Sequence, residues 1–245
     1  MFGSELPAAE LTRLLEAMNA AQAHRGPDES GTVCHEPLGA GLAGCRLSIV
    51  DLEHGRQPIA NEDQAIHAVL NGEIYNHGSL RESLLSKGHQ FRSRSDTEVL
   101  VHLYEELGEG LLDRLDGMFA LAVLDLRRGR LLLARDGPGM KPLYLARTPH
   151  GFLFASEAKA LFATGLVKPE PEPAAINAFL SWGCVPSPMS MFRGIRKLEA
   201  GRFAVVDRGA LRDGSFWRFR YQQTATRKSE EEYSEELETV LGRAV

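Results

Sequence analysis

Long apolar runs are missing from this sequence: the longest, residues 118–124, falls far short of the roughly 20 residues that a membrane-spanning helix needs. The first twenty residues also lack a basic start followed by an apolar stretch and instead show a helical pattern with acids, so no export signal is read there. Cysteine is scarce. Cys34, Cys45 and Cys184 are odd in number, scattered, and form no C-x-x-C pair, which excludes a disulfide framework or a thiolate zinc site and fits a reduced, cytoplasmic setting. Basic runs interleaved with aromatics are absent and the net charge is −5, so a nucleic-acid partner is not expected. The eight histidines show neither H-x-H nor H-E-x-x-H spacing, and no metal is expected. Fixed-period repeats are absent, and the one biased segment is residues 168–173, where three alternate prolines make an extended connector.

What is present is ordinary globular material, 43% hydrophobic and 25% charged over 245 residues, enough for one large layered domain with an appendage. Leu11, Leu14, Leu15 and Met18 recur at helical spacing and predict an amphipathic helix over residues 10–23, ended by Gly26-Pro27. Short apolar segments broken by glycine over 38–52, then 65–70, read as strands. Helices are predicted over 79–86 and 96–107, each closed by a glycine, with capping-box spacing between Ser95 and Glu98. Four strand-like runs, 118–125, 130–135, 142–146 and 152–155, suggest an antiparallel meander, followed by a short helix over 157–163. Beyond the connector come a helix over 174–182, strands over 201–207 and 216–220, and a polar helix over 229–245. Helices, then strands, then helices argue for two sheets packed face to face under helical cover. Gly39-Ala40-Gly41-Leu42-Ala43-Gly44 matches a dinucleotide fingerprint, but a strand-like segment follows it where the fingerprint requires a helix, so nucleotide binding is not expected there.

Taken singly, the polar motifs have bland readings. Arg25-Gly26-Pro27-Asp28 reads as a turn, Asn71-Gly72 as a hairpin and Ser95 to Glu98 as a cap. Their order along the chain is more specific: His24-Arg25-Gly26-Pro27-Asp28, Arg46-Leu47-Ser48-Ile49-Val50-Asp51, Asn71-Gly72-Glu73-Ile74-Tyr75-Asn76, Ser95-Asp96-Thr97-Glu98, Ala134-Arg135-Asp136 and Phe154-Ala155-Ser156-Glu157. This set closely resembles the N-terminal class II glutamine amidotransferase domain of glutamine-hydrolysing asparagine synthetase. The resemblance runs on through Val185-Pro186 and Phe192-Arg193-Gly194-Ile195 to Trp217.

The resemblance implies an α+β fold, the four-layer αββα sandwich of the N-terminal-nucleophile hydrolases, with a C-terminal linker appendage. It divides the chain into an amidotransferase domain, 1–167, and a segment, 168–245, leading to a synthetase domain. It also implies roles that suit the chemistry of glutamine. Arg46 offers a planar fork for the α-carboxylate, and Asp96 an acceptor for the ammonium group. The Asn71 side chain and the Gly72 N–H form an oxyanion hole, and Glu73 is carried over as a pocket residue. The implied partners are glutamine, with a homodimer mate or a separate synthetase domain; the implied cofactors, ATP and Mg, belong to that synthetase domain and none to this chain.

The nucleophile departs from the family pattern. Relatives of this type open Met-Cys-Gly and attack the amide with the cysteine thiol, its own α-amine serving as base. Here the second residue is Phe2, and Cys34, Cys45 and Cys184 are internal, with no α-amine. Two readings stay open: a natural start upstream of Met1, favoured because a whole strand rather than one side chain is missing beside an intact pocket, or a pseudoenzyme that binds glutamine or a partner without hydrolysing it. In either case the chain as numbered is expected not to turn over glutamine.

Overall fold

The computed structural model describes residues 1–47, 55–207, 209–221 and 228–244. The leucine stripe near the start forms helix α1 (Ala8–Ala21), which buries Leu11, Leu14, Leu15 and Met18. Strands β1 (Glu29–His35) and β2 (Ala40–Arg46) follow as an antiparallel pair. Next come β3 (Ile59–Ala60), β4 (Ile66–Ile74), α2 (His77–Ser86) and α3 (Glu98–Leu107). The centre of the chain supplies β5 (Gly117–Asp125), β6 (Arg130–Arg135), β7 (Tyr144–Thr148), β8 (Gly151–Ala155) and the short α4 (Ala158–Phe162). The last third adds α5 (Pro173–Trp182), β9 (Ile195–Lys197), β10 (Arg202–Asp207), β11 (Ala210–Ser215) and α6 (Glu230–Ala244).

Alternation along β5 and β6 makes the layers. Phe119, Leu121 and Val123, with Leu132 and Ala134, pack against Leu84 of α2 and Val99, Leu100, Leu103 and Tyr104 of α3. Their neighbours Ala120, Ala122, Leu124, Leu131 and Leu133 face the opposite way and meet Ala40, Leu42, Leu145 and Phe152 from the other sheets. A strand buried on both faces reads as one continuous apolar run for this reason. A third cluster joins Ala146, Leu153 and Ala155 to Leu11, Leu14, Leu15 and Met18 of α1 and to Ala160 and Leu161 of α4. The order is therefore helices, sheet, sheet, helices.

The first sheet has six strands in the order β11-β10-β6-β5-β4-β3; β8-β7-β9 and β1-β2 make up the second layer. Residues 1–4 join its two parts. Phe2 exchanges backbone hydrogen bonds with Phe152, while Met1 exchanges them with Gly41 and the Ser4 N–H donates to the Gly39 carbonyl.

Several local expectations are corrected. The four central runs are not one meander, because the Asp136–Pro142 loop carries the chain from the first sheet to the second, and β7 begins at Tyr144 rather than 142. Asn71-Gly72 is no hairpin but lies inside β4. The capping box does not form: the Glu98 carboxylate accepts from the Arg92 and Ser93 N–H groups at 2.7 Å each, and Ser95 Oγ accepts from the Thr97 N–H. The last strand is β11 rather than 216–220; Phe216 instead stacks on Phe119 at 6.2 Å. Expectations for residues 48–52 lie outside the described residues. Beyond residue 167 the chain still adds strands to both sheets, since β9 pairs with β7 and β10 pairs with β6. Among the described residues, no helix is long and apolar enough to cross a membrane.

Candidate active site

A cavity of about 450 Å³ opens between the two sheets, and Arg46, Asn71, Gly72, Glu73 and Asp96 all line it. Three different stretches of chain supply them: the end of β2, the end of β4, and the two residues before α3. On β4, Val69, Asn71 and Glu73 share one strand face by their spacing, the face turned toward the second sheet, while Leu70 and Ile74 anchor the other face in the first core.

Glycine is required at position 72. Its φ is +144°, and a Cβ there would overlap the Met118 carbonyl oxygen and lie 2.8 Å from the Phe119 Cα. Asn71, one residue before, donates from Nδ2 to the Ser156 hydroxyl at 3.3 Å. The strand is held at this point from both sides. The Gln57 side chain accepts from the Leu70 N–H at 2.8 Å and donates to the Leu70 carbonyl and the Thr97 hydroxyl at 3.2 Å each. The Asp96 carboxylate accepts from the Ile74 N–H at 2.9 Å, so it ties the end of β4 to the start of α3 as well as lining the cavity.

The Arg46 side chain is only 10% exposed, and its Nη1 donates to Glu29 at 3.0 Å. That carboxylate holds the guanidinium at the cavity wall. Gly26 packs on the Arg46 backbone so closely that a side chain would collide with the Arg46 nitrogen, which explains a glycine in the Arg25-Gly26-Pro27-Asp28 turn. Arg25 and His24 in that turn, together with Lys159, bind Glu157 at 3.0–3.1 Å. Burial acts to raise the Glu157 carboxyl, but these three donors outweigh it and hold the group below the usual carboxylate range. Asp136, fully buried, accepts from the N–H groups of Phe119, Met140 and Lys141, so this motif residue is structural and fixes the β5 segment that faces Gly72.

Arg25, Cys45, Lys141 and Ser156 also line the cavity, although none was assigned a role from the sequence. Ser156 was visible only as part of a motif; its contact with Asn71 spans 85 positions and no local pattern announces it. The Cys45 thiol lies against the Gln22 carbonyl at 3.2 Å, and burial pushes its pKa up, the wrong direction for a nucleophilic thiolate. Met1 also lines the cavity; its buried amine donates to the Gly41 carbonyl at 2.8 Å, and burial lowers its pKa to about 5.

Residues 2–217 match the model of the glutamine amidotransferase domain. The chain belongs to that family. The amidotransferase domain is 51% identical over 154 residues to asparagine synthetase [glutamine-hydrolyzing] 3 of Arabidopsis thaliana, covering 62% of this chain and 26% of the plant protein. It is 36% identical over 220 residues to asparagine synthetase [glutamine-hydrolyzing] 1 of Bacillus subtilis (strain 168), covering 89% of this chain and 34% of that protein. The chain thus spans about a quarter to a third of the length of these curated relatives. Among solved structures, the glutamine phosphoribosylpyrophosphate amidotransferase from B. subtilis matches with a TM-score of 0.62 at 18% identity, over 88% of this chain and 48% of that one. That likeness establishes the fold as the αββα sandwich of the N-terminal-nucleophile hydrolases.

Proposed function

We propose that the cavity binds glutamine as the amidotransferase half of an asparagine-synthetase-type enzyme. The observation that carries the reading is the convergence of Arg46, Asn71, Gly72, Glu73 and Asp96 on one cavity from three separate chain segments. Arg46 pairs with the α-carboxylate, and Asp96, with an oxygen near the Ser95 and Thr97 hydroxyls, accepts from the α-ammonium group. The Asn71 amide and the Gly72 N–H receive the oxygen on which negative charge develops when the side-chain amide is attacked. For that role the Asn71 Nδ2 exchanges its Ser156 partner for the substrate oxygen. The attacking group is a cysteine thiol presented at this cavity, and none of Cys34, Cys45 and Cys184 supplies it. The chain as numbered therefore binds glutamine without hydrolysing it.

In the whole enzyme the ammonia released here passes to a synthetase domain that uses ATP and Mg to amidate aspartate, and the chain's partner is a homodimer mate or a separate synthetase domain. The free state of all three cysteines accords with a reduced cytoplasmic setting.

Isothermal titration with glutamine, paired with an ammonia-release assay, tests the reading. The expected result is stoichiometric binding that Arg46→Ala abolishes, with no ammonia above background. Ammonia release by the chain as numbered, or failure to bind glutamine, would overturn it.

A further inference from the structure

A second constellation lies outside the glutamine cavity, on α3. Glu62, His89, His102 and Glu105 each bring one donor atom to a point where all four atoms lie within 4.8 Å of one another. They come from the turn between β3 and β4, from the segment after α2 and from α3 itself. His102 Nδ1 is 3.5 Å from one oxygen of Glu62; His89 Nδ1 is 3.7 Å from the other and 3.9 Å from Glu105.

These spacings are informative because of what they are not. A charged imidazole paired with a carboxylate closes to about 2.7–2.9 Å. Donors around a four-coordinate ion, each about 2.0–2.2 Å from it, stand roughly 3.4 Å apart, close to the spacings here.

The buried imidazole supplies an independent observation. The His102 side chain has no exposed surface, and neither ring nitrogen has a hydrogen-bond partner. An orphaned buried polar group costs about 1–3 kcal/mol and calls for a ligand. Both rings are oriented alike. Each turns Nδ1 toward the shared centre and sets Nε2 against a further acid, Glu98 at 3.8 Å from His102 and Glu106 at 3.2 Å from His89. A carboxylate behind the distal nitrogen fixes the tautomer and strengthens the proximal nitrogen as a ligand.

The two carboxylates are themselves braced. Glu62 accepts from the Gln90 N–H at 2.8 Å, and Glu105 from Arg127 at 2.9 Å and from Asn61 at 3.4 Å.

We propose that Glu62, His89, His102 and Glu105 bind one divalent transition-metal ion, zinc(II) being the best match to two imidazoles and two carboxylates. Neutral imidazoles and two carboxylates balance the ion's charge. Magnesium and calcium favour six or more oxygen ligands, which this donor set does not supply. The ion ties two further chain segments to α3, the helix preceded by Asp96 and, through Asp96, linked to the end of β4. Histidine spacing along the sequence could not reveal the site, since the four donors derive from three segments.

The full chain, stripped with a chelator, is titrated with zinc chloride by calorimetry and with cobalt(II) chloride by absorption. One ion per chain, a visible spectrum of four-coordinate cobalt and a higher melting temperature with zinc are expected, with no such response to magnesium. His89→Gln and Glu105→Gln, at positions that keep some solvent exposure, retain the fold by circular dichroism and weaken zinc at least 10-fold. Absence of stoichiometric zinc binding, or affinity unchanged in both variants, would overturn the proposal.

Discussion

Replacing Gly72 with alanine is the sharpest probe of the cavity's floor. The new methyl group would overlap the Met118 carbonyl oxygen and crowd the Phe119 Cα, both backbone atoms of β5, which pairs with β4 in register Gly72 with Phe119. Neither can swing aside as a flexible side chain would. Holding a non-glycine residue at a φ of +144° costs about 1–3 kcal/mol, and forcing atoms into a filled interior about as much again. The sum, about 2–6 kcal/mol, corresponds to a melting temperature lower by roughly 5–20 °C for a domain of this size. Gly165→Ala is the control: its φ is +72°, but no atom lies within 4 Å of the added methyl, so only the local strain of about 1–2 kcal/mol remains. Calorimetric melting and urea unfolding of both variants measure the difference. If Gly72→Ala costs no more than Gly165→Ala, close backbone approach is not the reason for glycine at this position.

Arg46→Lys keeps the charge but loses the fork, and glutamine affinity should fall at least tenfold, about 1.4 kcal/mol, by calorimetry; unchanged affinity would remove Arg46 from carboxylate recognition. Asp136→Asn turns an acceptor into a donor facing the N–H groups of Phe119, Met140 or Lys141, and should cost about 2–4 kcal/mol in urea unfolding, with a loss below 0.5 kcal/mol counting against the structural role. The Glu157 carboxyl is held below its usual value of 4.5 in the folded chain, so its contribution is complete above that pH and fades as pH falls through the lower folded value. Glu157→Gln should therefore flatten the stability profile in acid by up to about 1 kcal/mol, and a variant as acid-sensitive as the parent would refute the assignment.

Strands buried on both faces were legible because nothing but a core explains the apolar runs of β5 and β6, and their bounds fall within a residue of expectation. β11, Ala-Leu-Arg-Asp-Gly-Ser, was not legible, since an edge strand of this composition owes its conformation to β10 rather than to its own side chains. β1 was missed for a similar reason: among the described residues its mixed sequence pairs with β2 alone. The five cavity residues were readable as a set because the resemblance named positions that no single motif could. Asp96 shows the limit of that route: the hydrogen bond it accepts from Ile74 is a tertiary fact with no local signature. The braces behind the site, Gln57 on Leu70 and Ser156 on Asn71, were invisible on the same grounds.

The pairing of Phe2 with Phe152 has a consequence for how the chain is made. Residues 1–4 knit β2 to β8, so the second layer is continuous only once both flanks exist. On a ribosome, α1 and the β1–β2 hairpin emerge early, but their neighbour in the layer is synthesised only after the whole central part of the first sheet. Closing so long a loop carries an entropic cost, and the layer that forms one wall of the cavity is therefore expected to be completed late in folding.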